Sequence, residues 1–242
     1  MAEKYDLIFS LGTFPLVSLL LKEKGLQIFD FPFDNVIGAD FFTRMSMLLL
    51  DCNNFMEQKN ILAQENTPVE GVTQFKDTKT GFIYPNDFNP KLPVENNYPL
   101  VKANYDKYIK NLRVCIGAAK KILLVYVENP QIKEDEADNA SLILEACQKF
   151  RAKYPKKVIK ILYIRNNEDL ENIKVIELEK NAEKMEFNFF RKFSDASAPV
   201  IEPSILAMAF TGIKLKTNWR MKKILFYQKL LKSIIEFKRN LR

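Results

Sequence analysis

Lys121-Ile122-Leu123-Leu124-Val125-Tyr126-Val127 (KILLVYV) is the stretch on which the fold turns. Six apolar residues rich in β-branched and aromatic types follow one lysine, and Asn129-Pro130 stops the run, so it reads as a buried strand. Downstream, Ala140 to Lys153 reads as a helix, Val158 to Ile164 (VIKILYI) as a second strand of the same kind, and Ile173 to Leu178 as a third. Strand, helix and strand at this spacing indicate right-handed crossovers and a mostly parallel sheet. Upstream, a helix is expected over Leu100 to Ala119. Before it lie the prolines 85, 90, 93 and 99 and a β-hairpin, Val72 to Phe75 and Phe82 to Tyr84, around Asp77-Thr78-Lys79-Thr80-Gly81. Further back, Asp40 to Leu50 looks helical, with Phe41, Met45 and Leu48 on one side, and Phe29 to Asn35 (FDFPFDN) is a loop. Tyr5 to Leu11 is another buried strand, closed by Gly12, and Pro15 opens a helix that Gly25 ends. The expected fold class is therefore α/β. It comprises a mostly parallel Rossmann-like sheet with flanking helices, one β-hairpin that makes it mixed at one edge, and a C-terminal basic amphipathic helix. The domain reading is a single α/β domain over 1–212 and the basic helix over 213–242, divided near Gly212.

Composition narrows the chemistry. The chain of 242 residues contains no histidine, which removes the histidine base, the histidine partner of a nucleophile and the histidine metal ligand. Its three cysteines, Cys52, Cys115 and Cys147, are widely spaced and include no CxxC pair, so neither a disulfide framework nor a cysteine/histidine zinc site is expected. Only seven glycines are present, and neither the dinucleotide fingerprint nor the triphosphate loop occurs. No cofactor and no metal are expected. Leu7 to Leu21 could pass for the core of a signal peptide. However, Glu3 and Asp6 precede it where cations belong, Gly12 and Pro15 interrupt it, and it is shorter than the ~20 apolar residues of a spanning helix. The expected location is cytoplasmic.

The net charge of +7 is not spread over the chain. Residues 219–242 hold eight basic residues and one acid, Glu236, whereas the remaining body is balanced at 29 against 29. Tyr227, Leu230, Leu231 and Ile234 follow a helical repeat that Leu241 continues, and Lys222, Lys229, Lys232 and Arg239 fall on the other side. Three readings compete for this segment. It could dock on its own body or on a second copy, making a homo-oligomer. It could lie on an anionic membrane surface, with Lys222, Lys223, Lys229, Lys232 and Arg239 as contacts and a peripheral place at the inner membrane face. It could bind nucleic acid, which is not expected, because the rest of the chain offers no basic face or recognisable motif.

An ordered set of short motifs adds a resemblance. Ser10-Leu11-Gly12, Pro32-Phe33-Asp34, a hairpin leading into Asn86-Asp87-Phe88, a helix and then the KILLVYV strand together resemble the bacterial papain-like cysteine peptidase family, the domain-of-unknown-function 1796 group, over about Tyr5 to Asn129. That family continues its first motif as LG, two residues and Cys, and its hairpin motif as HDF. Here the two positions are Pro15 and Asn86. Proline supplies no nucleophile and asparagine moves no proton near neutral pH. The resemblance thus implies a degenerate, non-catalytic member that binds a ligand or partner. Thr13, Pro15, Arg44 and Asn86 would line the old cleft, and Asp34 and Asp87 are the catalytic candidates that remain. Two converging carboxylates could run acid/base chemistry or hold a divalent cation. Each also has a plainer role, Asp34 as a cap and Asp87 in a turn. Family members look like components of surface-polysaccharide loci, and the LG-x-x-C opening is similar to that of a capsule-associated acyltransferase family. The second expectation is therefore a carboxylate-based, glycosyltransferase-like enzyme at the cytoplasmic membrane face. The acidic loop from Glu134 to Asp138 lacks the alternation and glycine of a calcium loop and reads as solvated.

Overall fold

A computed structural model describes residues 2–64, 74–129, 139–170, 172–179, 182–191 and 200–227. After a short strand at Glu3–Tyr5, the chain forms β1 (Leu7–Ser10), α1 (Pro15–Glu23) and α2 (Phe41–Leu49). Pro15 takes the first helical position of α1, and Gly25 leaves the helix at φ +66°. Asp40 caps α2, its carboxylate accepting the Thr43 N–H at 2.7 Å. Next come β2 (Ile61–Gln64), β3 (Gln74–Asp77), β4 (Phe82–Tyr84) and α3 (Val94–Ala118). The remaining major elements are β5 (Lys121–Val127), α4 (Asn139–Lys153), β6 (Val158–Asn166), β7 (Lys174–Glu179) and β8 (Ala182–Phe187).

The central sheet has the order β1-β5-β6-β8-β7. Its first four strands are parallel, in a register that sets Leu7 beside Ile122 and Lys121 beside Val158. Six consecutive side chains of β5 are buried, because both faces of the sheet are covered. At ~1.5–3 kcal/mol for each large apolar side chain removed from water, this one strand is a main source of cohesion. Alternate residues supply the two cores. Phe9, Leu124, Tyr126, Ile161 and Tyr163 face α2, α3 and α4, where Met45, Tyr105 and Phe150 meet them. Ile8, Leu123, Val125 and Leu162 face α1 and the short helical segments of 203–210, through Val17, Leu21, Leu206 and Phe210. The result is an α/β/α stack of three layers.

Two expectations about the sheets need correction. The hairpin of β3 and β4 does not border the parallel sheet. It belongs to a second, antiparallel sheet of order Ile37–Gly38, β4, β3, β2. β2 escaped notice because it is short and its two middle residues, Leu62 and Ala63, are both exposed, without alternation, and residues 72–73 of the expected hairpin lie outside the described residues. The mixed character of the central sheet comes instead from β7. The stretch Ile173 to Leu178 forms this antiparallel edge strand, with Val175 more than half exposed. The parallel neighbour of β6 is β8, whose sequence AEKMEF looks polar because only part of it faces the core. α3 also starts earlier than expected, at Val94, with Pro99 inside it.

Beyond Gly212 the chain adds a further strand before any helix. Ile213–Leu215 pairs in parallel with Glu3–Tyr5. Residues 219–227 are then helical. Asn218 opens that helix by accepting the Met221 N–H at 3.0 Å, and its side-chain amide donates to the Ala118 carbonyl at 3.0 Å. Met221 is buried, and Ile224 and Leu225 pack against the core on the α2–α4 side. Helix 219–227 is therefore docked on the body. Lys229, Lys232 and Arg239, like the acidic loop 134–138, lie outside the described residues. No described helix is long and apolar enough to cross a membrane.

Candidate functional site

The turn after β1 holds the first group of expected site residues. Gly12 at φ +89° and Thr13 at φ +79° are both left-handed. The Thr13 hydroxyl, fully buried, donates to the Val127 carbonyl at the end of β5. Pro15 is half-buried as the opening residue of α1. Arg44, reaching in from α2, is completely buried. Its guanidinium donates to the carbonyls of Leu11 (2.6 Å), Gly38, Ala39 (3.3 Å) and Val36 (3.5 Å) and lies 5.0 Å from the Phe82 ring centroid. Gly12 makes this approach possible: a Cβ there would overlap Arg44 Nη1 and stand 2.5 Å from the Phe33 carbonyl oxygen. Thr13, Arg44 and the Phe33 carbonyl thus meet around Gly12, and the polar groups of Thr13 and Arg44 are spent on backbone carbonyls. They form a rivet that joins β1, β5 and α2.

Asp34 is buried to 1% exposure. Its Oδ2 accepts from Gln27 Nε2 at 2.7 Å and the Phe31 N–H at 3.0 Å and faces Lys22 Nζ at 3.3 Å, whereas its Oδ1 has no hydrogen-bond partner. Burial raises its carboxyl to about 6, and Lys22, Phe31 and Gln27 hold the rise back. Asp87 is half-buried on the loop after β4, and Tyr105 of α3 donates to it at 2.9 Å. Burial raises Asp87 as well, against the pull of that hydrogen bond. The two carboxylates share a neighbour rather than a contact. Tyr108 has its hydroxyl raised by burial and then by the charges of Asp30, Asp87 and Asp34, which Lys22 opposes. Asn86 is exposed, one residue before Asp87.

Sequence reasoning did not single out the other polar residues at the carboxyl ends of the parallel strands, where open α/β sheets commonly place their ligands. The signal was available in the residues that end each apolar run: Glu128 after β5, Arg165 and Asn166 in β6, and Lys184 and Glu186 in β8. The charges here are compensated in pairs. Arg165 Nε stands 3.3 Å from Glu128 Oε2, and Lys184 Nζ stands 2.7 Å from Glu186 Oε1. Burial alone would raise Glu186, but Lys184 overcomes it and the carboxyl is lowered. Asn166 Oδ1 accepts the N–H groups of Phe189 and Phe190 at 2.9 and 3.2 Å.

The amino end of the sheet is different. A concave surface of about 540 Å³ lies between the C-terminal ends of α3 and α4 and the start of helix 219–227. Lys120, Lys153, Lys156, Lys157 and Arg220 line it, and no carboxylate does. Beside it the helix turns an unusual face outward. Trp219, Lys222, Lys223 and Phe226 are all exposed and stand at i, i+3, i+4 and i+7, so they form one stripe. Tyr227, from which the apolar repeat of the tail is counted, is 51% exposed, whereas the body-facing residues are Met221, Ile224 and Leu225. The apolar stripe read from the sequence therefore begins on the side away from the body.

Among the described residues, no group of three or more Cys, Asp or Glu side chains is placed to hold a metal ion. All three cysteines are buried with unpaired thiols, and burial pushes each up to about 12. Comparison of the chain with protein-family models, curated proteins and solved structures gives no match.

Proposed function

We propose that this chain is a non-catalytic binding protein that docks on an anionic membrane surface through its C-terminal helix. The observation that carries the proposal is the outward stripe of Trp219, Lys222, Lys223 and Phe226 on a helix whose opposite face is already packed on the body. Alternating aromatics and lysines suit the headgroup boundary of a bilayer, where rings enter and ammoniums meet lipid phosphates. In the sequence, Tyr227, Leu230, Leu231 and Ile234 extend the apolar part, and Lys229, Lys232 and Arg239 extend the charge.

The non-catalytic half of the proposal rests on how the expected site residues are used. If the resemblance to the papain-like peptidase family holds, the chain is a degenerate member: Pro15 opens a helix where the nucleophile would be, and Thr13 and Arg44 hold carbonyls. The parallel order of four strands supports a Rossmann-like reading of the sheet. A carboxylate-based transferase in surface-polysaccharide assembly would need Asp34 to reach a substrate, and its burial weighs against that.

Co-sedimentation of the full chain with vesicles tests the membrane reading. Binding is expected to vesicles rich in phosphatidylglycerol and not to vesicles of phosphatidylcholine alone. Each basic residue near such a surface contributes ~1 kcal/mol, so Lys222→Ala with Lys223→Ala should weaken binding about thirtyfold. Equal sedimentation with both vesicle types would sink the idea.

A further inference from the structure

We infer that the concave surface at the amino end of the central sheet is a binding site for a phosphomonoester, carried either by a small soluble molecule or by a lipid headgroup. Two of its five cations are already employed. Lys157 Nζ donates to the carbonyls of Gly117 (3.1 Å) and Ala119 (2.6 Å), and Lys153 Nζ donates to the Leu49 carbonyl (2.7 Å) and Asp51 Oδ1 (2.5 Å). These bonds cap the ends of α3 and α2, as lysines near helix C-termini do. They also cover carbonyls that would otherwise repel an anion.

The other three cations have no such work. Lys120, Lys156 and Arg220 are exposed, and among the described residues no carboxylate pairs with them. Arg220 lies 5.7 Å from the ring of Trp219. Several lysines elsewhere do meet acids: Lys22 meets Asp30, Lys160 meets Glu3 and Glu183, and Lys184 meets Glu186. The crowding of like charge leaves a mark on Lys157. Burial and then the charge of Arg220 push its ammonium below the ordinary value, with Asp6 acting the other way. Gathering cations in a concavity whose lining holds no carboxylate costs free energy that an anion would return.

A phosphomonoester fits this arrangement. It carries up to two negative charges on three terminal oxygens and can accept from several ammonium and guanidinium donors at once. The volume of about 540 Å³ exceeds what a bare phosphate fills and lies in the range of small-molecule sites. Tyr154 and Pro155, with the 117–119 backbone stretch, form the rest of the wall, against which an organic body could rest.

The test is isothermal titration of the full chain with glycerol 3-phosphate, compared with glycerol and sodium chloride at equal ionic strength. Binding is expected for the phosphate ester alone. The triple variant Lys120→Ala, Lys156→Ala, Arg220→Ala should bind at least about tenfold more weakly, with its circular dichroism unchanged. Should the triple variant fold poorly, Lys156→Ala alone is expected to weaken binding about threefold. A second arm compares vesicles of phosphatidic acid and phosphatidylglycerol at matched charge. A preference for phosphatidic acid that the triple variant loses places the ester on a lipid, and soluble binding without that preference places it in solution. Neither soluble binding nor a headgroup preference, or the same affinity in native protein and variants, overturns the site. Because Lys222 and Lys223 do not line the pocket, phosphate binding that persists while all vesicle binding fails would overturn membrane docking and leave the pocket standing.

Discussion

Replacing Asp34 with asparagine should stabilise the protein at neutral and alkaline pH and have little effect near pH 4. In the unfolded chain this carboxyl titrates near 3.8, and in the folded protein burial raises it to about 6 against the opposing pull of Lys22, Phe31 and Gln27. A raised carboxyl pKa means that the folded state holds the proton more tightly. The associated stability is therefore fully present below about pH 4 and is lost as pH rises through about 6. Each pKa unit corresponds to ~1.4 kcal/mol, so keeping Asp34 ionised in the folded state costs about 3 kcal/mol above that range. Asparagine keeps an oxygen for the Phe31 N–H and for Gln27. It gives up the 3.3 Å approach of Lys22, which retains Asp30 at 2.7 Å. Its amide would face the side where Asp34 Oδ1 has no hydrogen-bond partner, a loss of about 1 kcal/mol or more. The expected net gain is about 1–2 kcal/mol at pH 8, or a few degrees in Tm for a chain of this size. Thermal and urea unfolding of both proteins by circular dichroism at pH 4 and pH 8 measures it. An Asp34→Asn protein that is less stable by the same amount at both pH values would refute the reasoning, because it would show the Lys22 pair outweighing burial.

The rivet around Arg44 gives two further expectations. Gly12→Ala combines left-handed backbone strain of ~1–2 kcal/mol with overpacking of ~1–3 kcal/mol against Arg44 and the Phe33 carbonyl, and a urea midpoint as high as that of the native protein would contradict it. Arg44→Met leaves four backbone carbonyls without this donor and should cost about 3–5 kcal/mol in the same assay; a loss under about 1 kcal/mol would show that the guanidinium is not needed there. Tyr105→Phe removes the hydroxyl that holds Asp87 down, so the Asp87 carboxyl should titrate at higher pH by carbon NMR; an unchanged or lower titration would contradict the assignment.

The parallel core was legible because its signals are local. The KILLVYV and VIKILYI runs became β5 and β6 in adjacent register, and Pro15, Gly25 and Asp40 marked helix boundaries through fixed dihedrals and a side-chain cap. The errors arose where tertiary contacts decide. Ile173 to Leu178 is more apolar than AEKMEF, yet β8 lies inside the sheet and β7 at its edge, because the neighbours fix a strand's place and not its own hydropathy alone. The candidate residues were partly legible. Thr13 and Arg44 are brought close to the Phe33-Asp34 segment around Gly12, but burial turns them to structural use, and no sequence period reports burial at a single residue. The basic concavity joins Lys120, Lys156 and Arg220 from three separate stretches. Only the positions of the α3 and α4 ends bring them together, so composition showed a basic tail and not the lysines of the body that face it.

The central claim is that helix 219–227 presents its outward stripe to an anionic membrane surface, and the protein carries its own reporter for it. Trp219 is the sole tryptophan of the chain and is 69% exposed. Its fluorescence, titrated with phosphatidylglycerol-rich vesicles at low salt, should shift to the blue and lose accessibility to acrylamide. Raising the salt should weaken the effect, since exposed charges are screened beyond ~10 Å at about 0.1 M. A tryptophan spectrum and acrylamide quenching unchanged by anionic vesicles, in protein whose circular dichroism shows it folded, would contradict the account.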